Sequence, residues 1–266
     1  MDQKPISGIN FCVIDTETTG GSPQLNRIID VAVLQFKDGE IVDKFQSLIN
    51  PQRPIPAWIT QLTAINDDMV EDAPLFSEIA EPLKKILDRG VFTAHNAKFD
   101  YGFVREEFNR LGVPFERPLC CTLKLARNLY TDIPSRSLGM LCEHLLIDIW
   151  DRHRAFGDAE ATVYVLKDML RVAKEKHQIE TWIDLDTFSR HGPLNLPEGI
   201  SLREISGLPA APGTYIFKDQ KGELVTQGHS KDVQRRVKTY FQIKNQSEKS
   251  KYLREVVRRI EFLSEN

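Results

Sequence analysis

Asp15 and Glu17 stand two residues apart in Asp15-Thr16-Glu17-Thr18-Thr19-Gly20, directly after the apolar run Ile9 to Ile14. On extended backbone, residues i and i+2 leave the same face, so a strand ending here presents two carboxylates side by side. Like charges that close are costly unless a cation neutralises them, and hard oxygen ligands suit magnesium or manganese. Two further stretches offer acids. In His95-Asn96-Ala97-Lys98-Phe99-Asp100, the helical recurrence of Phe99, Phe103 and Val104 places Asp100 near a helix N-terminus. Taken alone, Asp100 reads as an acid complementing the helix dipole. In His153-Arg154-Ala155-Phe156-Gly157-Asp158, Asp158 opens a strongly patterned helix to about Glu175, and His153 lies five residues before it, across Gly157. That arrangement separates a fixed ligand from a mobile base.

The elements that must position these residues follow from periodicity. Residues 9–15, 28–37 and 41–49 read as strands, with Asp38-Gly39 as a hairpin turn between the last two. Pro51 to Pro56 breaks regular structure, a short segment spans Trp58 to Ile65, and Pro74 opens a helix through about Leu87. Val91 to Ala94 is a further strand, and another lies near Leu119 to Thr122. A helix around Leu123 to Tyr130 follows, and Ser137 caps one through Leu146. The expected fold is α/β: a mixed sheet with helices on both faces, its first strands antiparallel. The site then lies at the strand end where Asp15 emerges.

The chain has 266 residues, 41% hydrophobic and 27% charged, which fits a globular protein of one large or two ordinary domains. No apolar run approaches the ~18–20 residues that cross a bilayer, and Met1-Asp2-Gln3-Lys4 lacks a signal-peptide pattern. A cytoplasmic location without a membrane partner is expected. Cys12, Cys120, Cys121 and Cys142 show no paired zinc spacing and read as buried free thiols. Charge is uneven: residues 201–266 carry thirteen Lys and Arg against eight acids, net +5, whereas residues 1–200 carry 22 against 30, net −8. An acidic front and a basic tail argue for two units. From 177 to 206 periodicity weakens, and His191-Gly192-Pro193 and Pro197-Glu198-Gly199 punctuate what reads as a linker.

Asp-x-Glu, then Asp, then His-x4-Asp, in that order, resembles the DEDDh 3′→5′ exonuclease family, most closely the proofreading epsilon-subunit type of bacterial DNA polymerase III. The resemblance covers residues 9–175 and includes RIIDVAVLQF, LTAIND, HNAKFDYGFV and HRAFGDAEAT. It implies a ribonuclease H-like sheet, with Asp15, Glu17, Asp100 and Asp158 as the metal-binding acids and His153 as general base. It also implies two divalent ions, Mg2+ or Mn2+, about 3.5–4 Å apart, in-line phosphodiester hydrolysis and release of nucleoside 5′-monophosphates. Thr18 and Asn96 match positions near the 3′-terminal nucleotide, and Leu62, Thr63 and Ile65 replace a loop that some relatives lay against the terminal base; packing of Leu62 and Ile65 into the core is an equal alternative. The implied substrate is the 3′ end of DNA, single-stranded or frayed, in proofreading or repair, with a polymerase or repair complex as a partner.

Residues 207–262 resemble the start of a GIY-YIG nuclease domain of the UvrC type, making a small α+β carboxy-terminal unit. Gly213-Thr214-Tyr215 stands for the first motif, two short strands flank Lys221-Gly222, and Arg236 fits the helix arginine. The second motif reads Thr226-Gln227-Gly228 and lacks its tyrosine, His229 replaces a usual Lys, and the sequence stops before the helix with the family's metal-binding glutamate. This unit, 207–266, is therefore expected to be incomplete and not to cut DNA, following an exonuclease domain at 1–176. Two other readings stay open: an exoribonuclease of the same superfamily, and a nucleic-acid-binding adaptor.

Overall fold

The computed structural model describes residues 3–149 and 153–264. The chain forms two compact units, Pro5–Lys176 and His177–Asn266 with Met1–Lys4.

In the first unit, strands β1 (Phe11–Thr18), β2 (Ile28–Lys37) and β3 (Glu40–Leu48) form an antiparallel run, and β4 (Val91–Ala94) and β5 (Leu119–Cys121) add in parallel. The sheet order is β3-β2-β1-β4-β5. The Asp38-Gly39 hairpin forms as expected, with both residues at positive φ, 52° and 87°. Helices α1 (Ala57–Thr63), α2 (Asp67–Val70) and α3 (Phe76–Leu87) lie between β3 and β4, and α4 (Lys98–Arg110) joins β4 to β5. Then come α5 (Thr122–Leu129), α6 (Leu138–Leu145) and α7 (Ala155–His177). One sheet face is sealed by α3 and α4: Cys12 and Ile14 share a core with Phe76, Leu83, Phe103, Val104 and Phe108. Gly90 sets the approach of β4 to β1, because a Cβ there would lie 2.1 Å from the Asn10 carbonyl oxygen. Cys12, Cys120 and Cys142 are buried, as expected, whereas Cys121 is only half-buried.

Two sequence expectations need correction. β1 runs through Thr18 rather than stopping at Asp15, because β2 continues to pair with it: Asp15 faces Ala32 and Glu17 faces Asp30. The stretch 177–206 is no linker. It carries α8 (Trp182–His191) and α9 (Leu202–Gly207), each opened by a capping box, Thr181 with Asp184 and Ser201 with Glu204. α8 buries Trp182, Leu185, Thr187 and Phe188, so the Gly-Pro punctuation that suggested a linker falls between packed helices.

The second unit continues with a three-stranded antiparallel sheet: β6 (Gly213–Lys218) lies between β7 (Leu224–Ser230) and β8 (Arg259–Ser264). Helices α10 (Val233–Phe241) and α11 (Glu248–Val256) complete it, and Phe217, Val233, Val237, Phe241 and Leu253 form its core. Among the described residues, no helix is long and apolar enough to cross a membrane.

Candidate active site

The site grows from the alternation of β1. Its residues 12, 14, 16 and 18 are buried, whereas Asp15 and Glu17 on the other face are half-buried. Asp158 enters in the first turn of α7. One carboxylate oxygen from each of Asp15, Glu17 and Asp158 lies within 4.8 Å of the others. Asp100 is buried on α4, and its Oδ1 accepts hydrogen bonds from the Thr16 amide (3.1 Å) and the Thr16 hydroxyl (2.9 Å). Thr16, between the two acids of β1, thereby ties the fourth acid to the same strand.

Such a cluster is electrostatically expensive by itself. Burial, reinforced by Asp100, Asp158 and Glu17, drives the Asp15 pKa well above the carboxylate range. Burial and then Asp158 and Asp30 push Glu17 up to about 8, and burial raises Asp100 to about 7 even though Thr16 opposes it. Protons or cations must satisfy these oxygens near neutral pH. A donor set made only of carboxylates fits a hard divalent ion, so these residues suit the metal that their spacing suggested.

His153 occupies a turn just before α7 with a left-handed backbone, φ 64°. The next residue explains how that turn is held. Arg154 Nε lies 3.1 Å from Asp30 Oδ2, and the same oxygen accepts from the Ala155 amide at 3.3 Å. Asp30 is wholly buried on β2, opposite Glu17 in the strand register. Sequence reasoning singled out neither residue: Asp30 sits within an apolar strand, 124 residues from Arg154. The only local signal was an acid in the middle of RIIDVAVLQF, where β-branched residues otherwise dominate. Arg154→Ala should lower kcat by roughly 10- to 100-fold through misplacement of the 153–155 turn, with a smaller change in KM; steady-state kinetics checks this.

The other expected contacts divide. Asn96 is exposed, in a left-handed conformation at the end of β4. Thr18 is buried, and its hydroxyl donates to the Gly20 carbonyl at 2.8 Å. Leu62 is half-exposed, but Ile65 is fully buried among Ile29, Ile55, Ile59 and Val70. The Thr63 hydroxyl donates to the Ile59 carbonyl and accepts from the Ile65 amide. Packing thus leaves Ile65 and Thr63 no free surface for a base. Another histidine, His95, is pushed down to about 4 by burial, and its Nδ1 lies 3.0 Å from the Thr122 hydroxyl.

In the second unit, the Tyr215 hydroxyl lies 2.8 Å from that of Tyr240, a partner on α10 that the motif resemblance does not supply. The Arg236 guanidinium sits 5.0 Å over the Tyr240 ring. Gly228 makes room for this pair, since a Cβ there would lie 2.3 Å from the Tyr215 oxygen.

Known proteins share both units. The Exonuclease family profile matches residues 12–166, more than half of the chain, and the UvrC-like GIY-YIG domain profile matches residues 211–266. The PolC-type DNA polymerase III of Caldanaerobacter subterraneus subsp. tengcongensis is 34% identical over 212 residues, which cover 80% of this chain and 14% of that polymerase. The chain thus spans about a seventh of the length of that relative. Among solved structures, E. coli Exonuclease I in complex with a dT13 oligonucleotide has a TM-score of 0.60 at 14% identity, covering 80% of this chain and 49% of that one. The nuclease domain of 3′hExo, a DEDDh family member bound to rAMP, has a TM-score of 0.54 at 18% identity, covering 63% of this chain and 94% of that one. At such identities the likeness establishes the shared fold. Because the exonuclease profile extends from β1 into α7 over the sheet and helices that gather the acids, the chain belongs to the exonuclease family.

Proposed function

We propose that this chain is a metal-dependent 3′→5′ exonuclease that shortens DNA from its 3′ end and releases nucleoside 5′-monophosphates. The observation that carries the reading is the convergence of Asp15, Glu17 and Asp158 within 4.8 Å, with Asp100 fastened to the intervening Thr16. Asp15, Glu17 and Asp158 would hold two divalent ions, magnesium or manganese, with Asp100 completing the set. When bound, such ions stabilise charge on the phosphoryl group and the departing 3′ oxygen and acidify the attacking water. The chain's own residues do the rest. His153 takes the proton from that water, Asp30 and Arg154 hold the turn that carries His153, and Thr16 fixes the orientation of Asp100. Of the expected terminal-nucleotide contacts, Asn96 and Leu62 are exposed and form the proposed rim, and Thr18 supports it from beneath through the bond of its hydroxyl to the Gly20 carbonyl.

The setting we infer is removal of 3′-terminal nucleotides during DNA replication or repair, in company with a polymerase or repair complex. The similarity to PolC-type polymerases supports it. We read residues 1–176 as the nuclease and the GIY-YIG-like unit as a binding module. Thr226 stands where a cutting domain of that family has its second tyrosine, although Tyr240 supplies a phenol to Tyr215 from another element.

Digestion of a 5′-labelled DNA oligonucleotide beside its RNA counterpart tests the proposal. The expected result is a ladder shortening from the 3′ end of DNA with magnesium or manganese, lost on chelation. A ladder chiefly on RNA would move the substrate to RNA, and binding without any ladder would make the chain an adaptor.

A further inference from the structure

We propose that a cleft beside the acid cluster binds the phosphates of the single strand immediately upstream of the 3′-terminal nucleotide, through Lys98 and Arg105. This rests on the exonuclease reading and extends it to the path of the substrate. The cleft has a volume of about 500 Å³ and lies between the loop Gly21 to Gln24 and the first half of α4. Both walls continue from acid-bearing elements. The loop begins three residues after Thr18, the end of β1, and α4 carries Asp100. A strand leaving the acid cluster along this edge therefore enters the cleft.

The face of α4 that lines the cleft differs from the face that anchors the helix. Asp100, Phe103, Val104, Glu107 and Phe108 are buried, whereas Lys98, Gly102 and Arg105 line the cleft at i, i+4 and i+7. Lys98 and Arg105 are exposed, and neither makes an ion pair among the described residues. That contrasts with nearby cations: Arg27 and Arg110 both pair with buried Glu107, at 2.8 and 3.1 Å. In a region of the chain with net charge −8, two uncompensated cations bordering one cleft mark it for an anion. Seven residues of helix separate them by about 10 Å along the axis, too far for one phosphate to bridge. A polyanion with regularly spaced phosphates fits the pair.

The floor of the cleft supports the same reading. A Cβ at Gly102 would lie 3.3 Å from Pro23 Cγ, so the glycine lets loop and helix meet below the two cations without a side chain obstructing the strand. Arg105 is aligned by the Tyr101 ring, 6.0 Å from its guanidinium carbon. Phe99, half-buried and packed against Phe103 with ring centroids 4.9 Å apart and the planes tilted by 50°, gives the cleft an aromatic edge against which a base can lie.

The test uses the full chain and 5′-labelled deoxyoligonucleotides of two to ten nucleotides, with magnesium or manganese and a range of salt concentrations. In the wild type, KM should fall as the substrate lengthens from two to about five nucleotides. In K98A/R105A that gain should disappear, and KM for the ten-mer should rise by roughly tenfold. The salt dependence of log KM should flatten by about 0.7 for each phosphate that the protein no longer neutralises. K98R/R105K should restore the length dependence, since charge rather than shape is required. Both side chains are exposed, so an unchanged thermal midpoint confirms that the variants fold. If K98A/R105A keeps the wild-type length dependence and salt slope, the cleft proposal is wrong while the exonuclease reading stands. If the wild type shortens none of these substrates, the exonuclease reading itself fails.

Discussion

Replacing Asp15 with Asn should lower the rate of hydrolysis by about 10³ or more while raising the thermal midpoint of the metal-free protein. The loss follows from the position of Asp15. It is the acid on which Asp100, Asp158 and Glu17 all act, so its removal disturbs every proposed ion contact. Losing metal stabilisation of the reacting phosphoryl group is worth several kcal/mol, and each 1.36 kcal/mol is a factor of ten. The gain follows from the same crowding. Without a cation, folding must either protonate Asp15 against its ordinary acidity or bury its charge among like charges, and both cost stability; Asn requires neither. The sign of the pH dependence supplies a second check. Glu17 has a folded pKa of about 8 against an ordinary 4.5, so the folded state holds its proton more tightly than the unfolded chain does. The stability of the chelated wild type should therefore fall as pH rises from about 4.5 to 8. Thermal melts in chelator at several pH values, beside rates in magnesium, would measure both effects. An Asp15→Asn protein that melts lower than wild type in chelator, or retains wild-type rates, would sink the account.

The same residues show how far sequence could go. Asp-x-Glu gave away its geometry because strand alternation is a local rule, and Asp38-Gly39 fixed the hairpin through its own backbone preference. Asp158 reads as a helix start, although α7 begins three residues earlier, at Ala155. What stayed hidden was non-local. Asp30 meets Arg154 only once β2 and the turn before α7 are brought together, and the contact leaves no periodic trace in either segment. Ile65 shows the opposite difficulty. Its sequence leaves a base contact and core packing equally open, and packing against Ile29, Ile55 and Ile59 decides for the core. Likewise, Gly-Pro punctuation outweighed the two capping boxes at Thr181 and Ser201, although Ser/Thr-x-x-Asp/Glu is itself a helix-start signal. Tyr240 stays hidden in the sequence because a motif is read along the chain, whereas its hydroxyl reaches Tyr215 from a different element.

Replacing His153 with Ala should reduce kcat by roughly 10²–10⁴ while metal binding is retained, the range expected for loss of a general base. The backbone complicates a simple comparison. His153 holds φ at 64°, where alanine is strained, and strain could displace Arg154 and with it the start of α7. Asn tolerates this conformation better than most residues and has no titratable group, so His153→Asn keeps the turn and removes the base. If His153 moves the proton, the two variants lose comparable activity. Both then lose the limb of the pH–rate profile that belongs to the base, and titration calorimetry finds manganese affinity near that of the wild type. If only the Ala variant is slow, the turn matters and the base lies elsewhere. Arg154→Ala separates the roles from the other side: it loosens the turn but leaves an imidazole at 153, so its rate falls while the low-pH limb set by that base persists. A base and its support thus give different pH profiles even where their losses in kcat overlap, and the profile, rather than the size of the loss, assigns His153.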